Sequence, residues 1–188
     1  MNYLAHSFLS NNNTDLIIGN FIADHIHGNN FENLSPGIIE GIKLHRKIDA
    51  FTDSHQKFKE SKRFFYSGFE KYSGILVDIY FDHLLAKNYN NHTTVPLQEY
   101  CDNVYSIYSQ NKNILPKSSQ AFLNYVLQNN IYHAYSTTQG IEQVLFHLSH
   151  RINHPVKLHH SMDLFNQNIE QLQNNFELFF KDAVKEFM

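Results

Sequence analysis

The stretch "GILVDIYFDHLLAK", residues 74–87, decides the fold class, because it reads as a core helix and yet carries Asp78, Asp82 and His83. At 100° per residue, Asp78 and Asp82 fall inside the arc that also holds Ile75, Phe81, Leu85 and Ala86. A lone ionised carboxylate on such a stripe costs several kcal/mol unless a partner compensates it. Whatever these acids face must therefore carry positive charge or donate hydrogen bonds.

Helix signals continue on both sides of this stretch. Thr14 can cap a helix through "DLIIGNFIAD", and Ser35 followed by Pro36 opens "GIIEGIKLHRKIDAFTD", which should end near Asp53. Ser54 is the expected cap of "HQKFKESKRFFY". Pro96, Pro116 and Pro155 each precede a further helical run, the last being a long amphipathic tail. No alternating run with turn chemistry suggests a strand, and 7 Gly and 4 Pro are few for 188 residues. The expectation is an all-α helical bundle forming one domain over residues 1–188.

The helix at 36–53 repeats the anomaly. Ile38, Ile42, His45, Asp49 and Asp53 share one sector, beside an apolar sector of Leu44, Ile48 and Phe51. Two helices with acids on inward stripes would set four carboxylates and a histidine against each other. Such a group needs a cation or several donors to neutralise it. A divalent metal is the economical answer, and mixed His and Asp ligands suit Mn²⁺, Fe²⁺, Co²⁺ or Zn²⁺. The competing account is an ion-pair network in which Arg46 serves Asp49 or Asp53 and Asp78 holds the His45 ring. His6, in "NYLAHS", and Asp24, closing "GNFIAD", are weaker candidates on their own.

Composition narrows the classes. A net charge of −3 opposes a nucleic-acid binder. No run of about twenty apolar residues marks a membrane span. The N-terminus lacks signal-peptide features, and a single cysteine, Cys101, suits a reducing compartment, so a cytoplasmic protein is expected. The 13 histidines are the compositional anomaly. Those late in the chain (His147, His150, His154, His159 and His160) have no acidic ladder beside them. There is no GxSxG, glycine-rich phosphate loop, HExxH or CxxC motif, and Cys101 reads as a core thiol.

Taken together, "MNYLAH", "GNFIAD", "GIKLHRKIDAFTDSH", "DIYFDHLLAK" and "VPLQEY" resemble the acyl carrier protein phosphodiesterase family, strongly to about Leu115 and by element order beyond it. The resemblance implies an HD-domain-like, metal-dependent phosphohydrolase of fatty acid metabolism. Its reaction would convert holo-acyl carrier protein to the apo form and free 4'-phosphopantetheine, through water activated by a divalent cation, Mn²⁺ first and Fe²⁺ or Co²⁺ next. It carries over to His6, Asp24, His45, Arg46, Asp49, Asp53, Asp78, Asp82 and His83. On this reading His6, Asp24, His45 and Asp82 are the metal ligands, Asp78 or Asp49 a ligand or general base, and Asp53 supports them. Arg46 would clamp phosphoryl oxygens and His83 protonate the departing serine oxygen. Because acyl carrier proteins are acidic, Lys57, Lys59, Lys62 and Arg63 are the expected docking residues. The alternatives are hydrolysis of a nucleotide or other small phosphodiester on the same scaffold, and a helical binding protein without catalysis.

Overall fold

The computed structural model describes residues 2–152 and 156–188. Among them every regular element is helical. Helices α1 (Tyr3–Phe8), α2 (Thr14–Ile22) and α3 (Pro36–Ser54) open the chain, followed by α4 (Gln56–Arg63), the kinked turn α5 (Tyr66–Phe69) and α6 (Ser73–Lys87). The second half comprises α7 (Leu97–Gln110), α8 (Lys117–Gln128), α9 (Ile131–Ala134), α10 (Thr138–Arg151), α11 (Met162–Gln167) and α12 (Ile169–Phe187).

Local chemistry sets these boundaries, sometimes one residue away from the expectation. Ser35 Oγ accepts from the Ile38 amide, and Pro36 occupies the first turn of α3 as predicted. Thr14 is the first helical residue of α2 rather than its cap. The cap is Asn13, whose side-chain oxygen accepts from the Leu16 amide at 3.1 Å. Ser54 still belongs to α3, and the backbone turns extended only at His55, so His55 Nδ1 caps α4 through the Lys57 amide. Pro155 lies outside the described residues. The amphipathic tail is broken at Asn168, where a non-helical backbone separates α11 from α12.

Two contacts set the frame for the site. First, α2 packs along α3 with no side chain between them at Gly19 and Gly41. A Cβ on Gly19 would lie 2.1 Å from the Ile38 carbonyl oxygen and 2.7 Å from Gly41 Cα. Second, α1 is held end-on by α6. The Asp82 carboxylate accepts the amides of Leu4 (2.8 Å), Asn2 (3.3 Å) and Ala5 (3.3 Å), the unsatisfied donors that open a helix. Beyond these, α4, α6 and α12 enclose an aromatic core of Phe58, Phe81, Phe176 and Phe179.

The glycine contact is the more sensitive of the two, since its neighbours are backbone atoms that cannot rotate away. Gly19→Ala should lower unfolding stability by about 1–3 kcal/mol, as overpacking does. Gly74→Ala in α6, where a Cβ meets nothing within 4 Å, should be neutral or slightly stabilising. Urea midpoints of the two variants measure this. Equal midpoints would show that the helices separate at no cost.

Candidate metal centre

Four elements bring polar groups to one place. His6 comes from α1, Asn20 from α2, Asp24 from the turn after α2, and His45 and Asp49 from successive turns of α3. The His6 and His45 rings stack with centroids 4.3 Å apart. Asn20 lies behind both rings and is 2% exposed. Its amide nitrogen donates to the His6 carbonyl (3.0 Å) and to Ser10 Oγ (3.1 Å). That spends both amide hydrogens, so the Asn20 oxygen faces the rings, 2.8 Å from His6 Nδ1 and 2.9 Å from His45 Nδ1.

An amide oxygen only accepts, so both Nδ1 atoms must carry hydrogen. In neutral imidazoles both Nε2 lone pairs then point the other way, toward carboxylates. His6 Nε2 is 3.2 Å from Asp49, and His45 Nε2 is 3.1 Å from Asp49 and 3.2 Å from Asp24. Lone pairs facing carboxylate oxygens repel unless a cation lies between them, and the cation is either a proton or a metal. His6, His45 and Asp49 each offer a ligand atom within 4.8 Å of the others.

Without metal the site answers with a proton. Burial pushes His45 down, but hydrogen bonds to Asp24 and Asp49 outweigh it and raise the imidazole to about 9. His6, buried more completely, falls to about 4. Burial also works against the Asp49 carboxylate, yet the two histidines hold it well below the usual range.

These groups form the polar end of a cavity of about 600 Å³. Asp53 and Asp78 lie on the same lining. Burial raises the pKa of the Asp78 carboxyl. The rest of the wall is apolar and aromatic, including Ile75, Ile79, Phe122, Tyr125, Tyr135, Val144 and Leu148, with Arg151 among them.

Three predicted site residues stand elsewhere. Asp82 is fully buried and its oxygens take the three α1 amides, so it holds the helix that carries His6 and is not on the cavity lining. Arg46 turns away from the acids. Its guanidinium donates to the carbonyls of Ile26 and Gly28 and to Asn29 Oδ1, and it lies 5.8 Å from the Phe31 ring centre. It therefore braces the loop after Asp24. His83 Nδ1 donates to the Tyr135 carbonyl at 2.6 Å, beneath the cavity wall instead of on it. Cys101 is buried and its thiol is pushed up to about 12, as a core thiol should be.

Two residues escaped the sequence reading. Asn20 had a usable signal, an amide amid Ile17, Ile18, Phe21 and Ile22, where a polar side chain needs a reason. Arg151 had none, because only the packing of α10 brings it to the cavity.

Comparison with known proteins places the whole chain beside one family. A family model described as acyl carrier protein phosphodiesterase matches residues 1–183. A protein of that name from Pectobacterium atrosepticum is 31% identical over 181 residues, spanning 96% of this chain and 92% of that protein. Two from Escherichia coli are 32% and 34% identical, each spanning 66% of this chain and 63% of theirs. No solved structure matches the chain. No helix among the described residues is long and apolar enough to cross a membrane.

The raised His45 pKa has a stability consequence in protein stripped of cations by a chelator. A histidine held above its ordinary 6.5 stabilises the fold fully below that pH, and the contribution disappears as pH rises through about 9. Stability should therefore decline between those values, and Asp49→Asn should flatten the decline. A flat profile in the unsubstituted protein would remove the proton from His45.

Proposed function

This chain belongs to the acyl carrier protein phosphodiesterase family, and we propose that it is a cytoplasmic phosphodiesterase that hydrolyses holo-acyl carrier protein to the apo form and 4'-phosphopantetheine. The supporting observation is the single amide of Asn20, which turns both imidazoles so that two Nε2 lone pairs meet two carboxylates. That donor set fits a divalent cation held by His6, His45, Asp49 and Asp24. Its hard and borderline atoms suit Mn²⁺, with Fe²⁺ or Co²⁺ as alternatives. A bound cation of this kind polarises a phosphoryl oxygen and makes hydroxide available near neutral pH.

The remaining roles fall to the chain itself. Asp78, on the same lining and raised in pKa by burial, is suited to take a proton from the attacking water and return it to the serine oxygen that leaves. Arg151 takes the anion-binding role expected of Arg46, because it is on the lining and its planar fork matches phosphoryl oxygens. The apolar wall suits the uncharged pantetheine arm, and the volume falls within the usual range of small-molecule sites. Asn20, Asp82 and Arg46 position the ligands without touching substrate. We read residues 1–188 as one domain, a diverged HD-type scaffold serving fatty acid metabolism.

Incubation of the Mn²⁺-loaded protein with holo-acyl carrier protein should remove the phosphopantetheine mass from the carrier, while Asp49→Asn leaves the mass unchanged. An unaltered carrier with metal bound would sink the substrate claim and favour a small phosphodiester. Separately, Asn20→Ala should weaken Mn²⁺ binding by about 10- to 100-fold, the usual cost of losing a group that orients a ligand. Calorimetric titration of the two proteins measures this, and equal affinities would show that the imidazoles need no shared anchor.

A further inference from the structure

Charge is divided unevenly along this chain. Of 18 Asp and Glu residues, Glu142 alone falls within residues 103–162. The same segment holds Lys112, Lys117, Arg151 and Lys157, for a net +3, together with six histidines. Residues 1–102, with nine Lys and Arg against twelve acids, carry −3, and residues 163–188, with two against five, carry another −3.

The fold turns this division into a two-sided cavity. Residues before 103 supply Asp24, Asp49, Asp53 and Asp78 to the lining, and the basic segment supplies the wall of Phe122, Tyr125, Ile131, Tyr135, Val144, Leu148 and Arg151. Aromatic contacts tie α8 to α10 along that wall. The Arg151 guanidinium lies 5.9 Å from the Phe122 ring centre, and His147 packs on Tyr125 at 6.2 Å. Beyond the wall, Phe146 is 46% exposed. His150 and His159 lie against it at 4.5 and 5.5 Å, and Lys157 and His160 are exposed nearby in sequence.

We propose that the acidic carrier protein docks on this α8–α10 face, with Phe146 as apolar contact and Arg151 at the passage into the cavity. The inference rests on the substrate reading above and says where that substrate lands. An acidic partner approaching the other walls would meet their carboxylates. Here it meets Arg151, Lys157 and histidines, with Glu142 the single acid beside His159, a net positive field that steers encounter and fixes orientation. The basic helix singled out from sequence is a weaker dock. Lys57 pairs with Glu60 at 2.8 Å, α4 packs against the acidic α12, and none of its four cations lines the main cavity.

Two double variants test the choice, His150→Glu with Lys157→Glu, and Lys59→Glu with Arg63→Glu. All four positions lie off the main cavity lining. Binding of apo-carrier protein, which has no ester to cleave, is followed by fluorescence anisotropy beside turnover of holo-carrier and of bis(4-nitrophenyl) phosphate. The α10-side variant should bind apo-carrier about tenfold or more weakly, with KM rising and kcat held, while the small diester is cleaved as before. The α4 variant should lose less. If the α4 variant loses as much or more, or the α10-side variant loses nothing, while the unsubstituted protein cleaves holo-carrier, the docking proposal fails and the activity stands. If the unsubstituted protein cleaves only the small diester and binds no carrier, the substrate reading itself has failed.

Discussion

The absence of two side chains, at Gly19 and Gly41, is the constraint on which the centre depends. It lets α2 and α3 approach until their backbones touch, and Asn20 is the next residue along α2. From there its amide oxygen lies within 2.9 Å of the His45 ring on α3 while still reaching His6 on α1. Holding the helices apart by even one methyl group would leave the amide bonded to one ring at most. The tautomer of both imidazoles, and with it the direction of both free lone pairs, is thus decided by helix packing.

The two acids of the opening stretch show how burial alone misleads. Both Asp78 and Asp82 sit on the inward side of α6, but they meet different partners. Asp82 meets the start of a six-residue helix, whose exposed amides are what a buried carboxylate needs. Asp78 is half-buried on a cavity wall four residues earlier. One acid therefore secures the helix that carries His6, and the other borders the cavity. A helical wheel assigns both to the same stripe, because it records direction and not what lies beyond.

This explains what was legible from residues alone. The helix class, the Ser35–Pro36 start and the run of His45, Asp49 and Asp53 along α3 are local matters, set by capping chemistry and by a period of 3.6. His6 and Asp24, weak on their own in sequence, joined His45 only through the family resemblance carried by three separate stretches. That Arg151 and not Arg46 lines the cavity could not be read in this way. Arg46 lies in the most motif-rich helix, yet the loop at residues 26–29 offers it carbonyls close by. Arg151 sits more than a hundred residues away, in a stretch without a motif. Helix packing alone, which a linear pattern does not encode, decides which arginine reaches the cavity.

The division of charge between the walls meets a requirement that a single-signed cavity cannot. A site that gathers a divalent cation needs carboxylates close together, and those carboxylates repel the anionic ester the cation is meant to act on. Distributing the two demands resolves the conflict. Asp24 and Asp49 concentrate negative charge within hydrogen-bonding distance of the histidines, where a cation would cancel it. The wall from α8 and α10 supplies no carboxylate to the lining and brings Arg151. A substrate whose carrier, arm and ester are acidic, apolar and anionic in turn would find a matching surface at each stage. On the proposed reading, the same amino-acid types placed without this segregation would gather the cation and repel the ester.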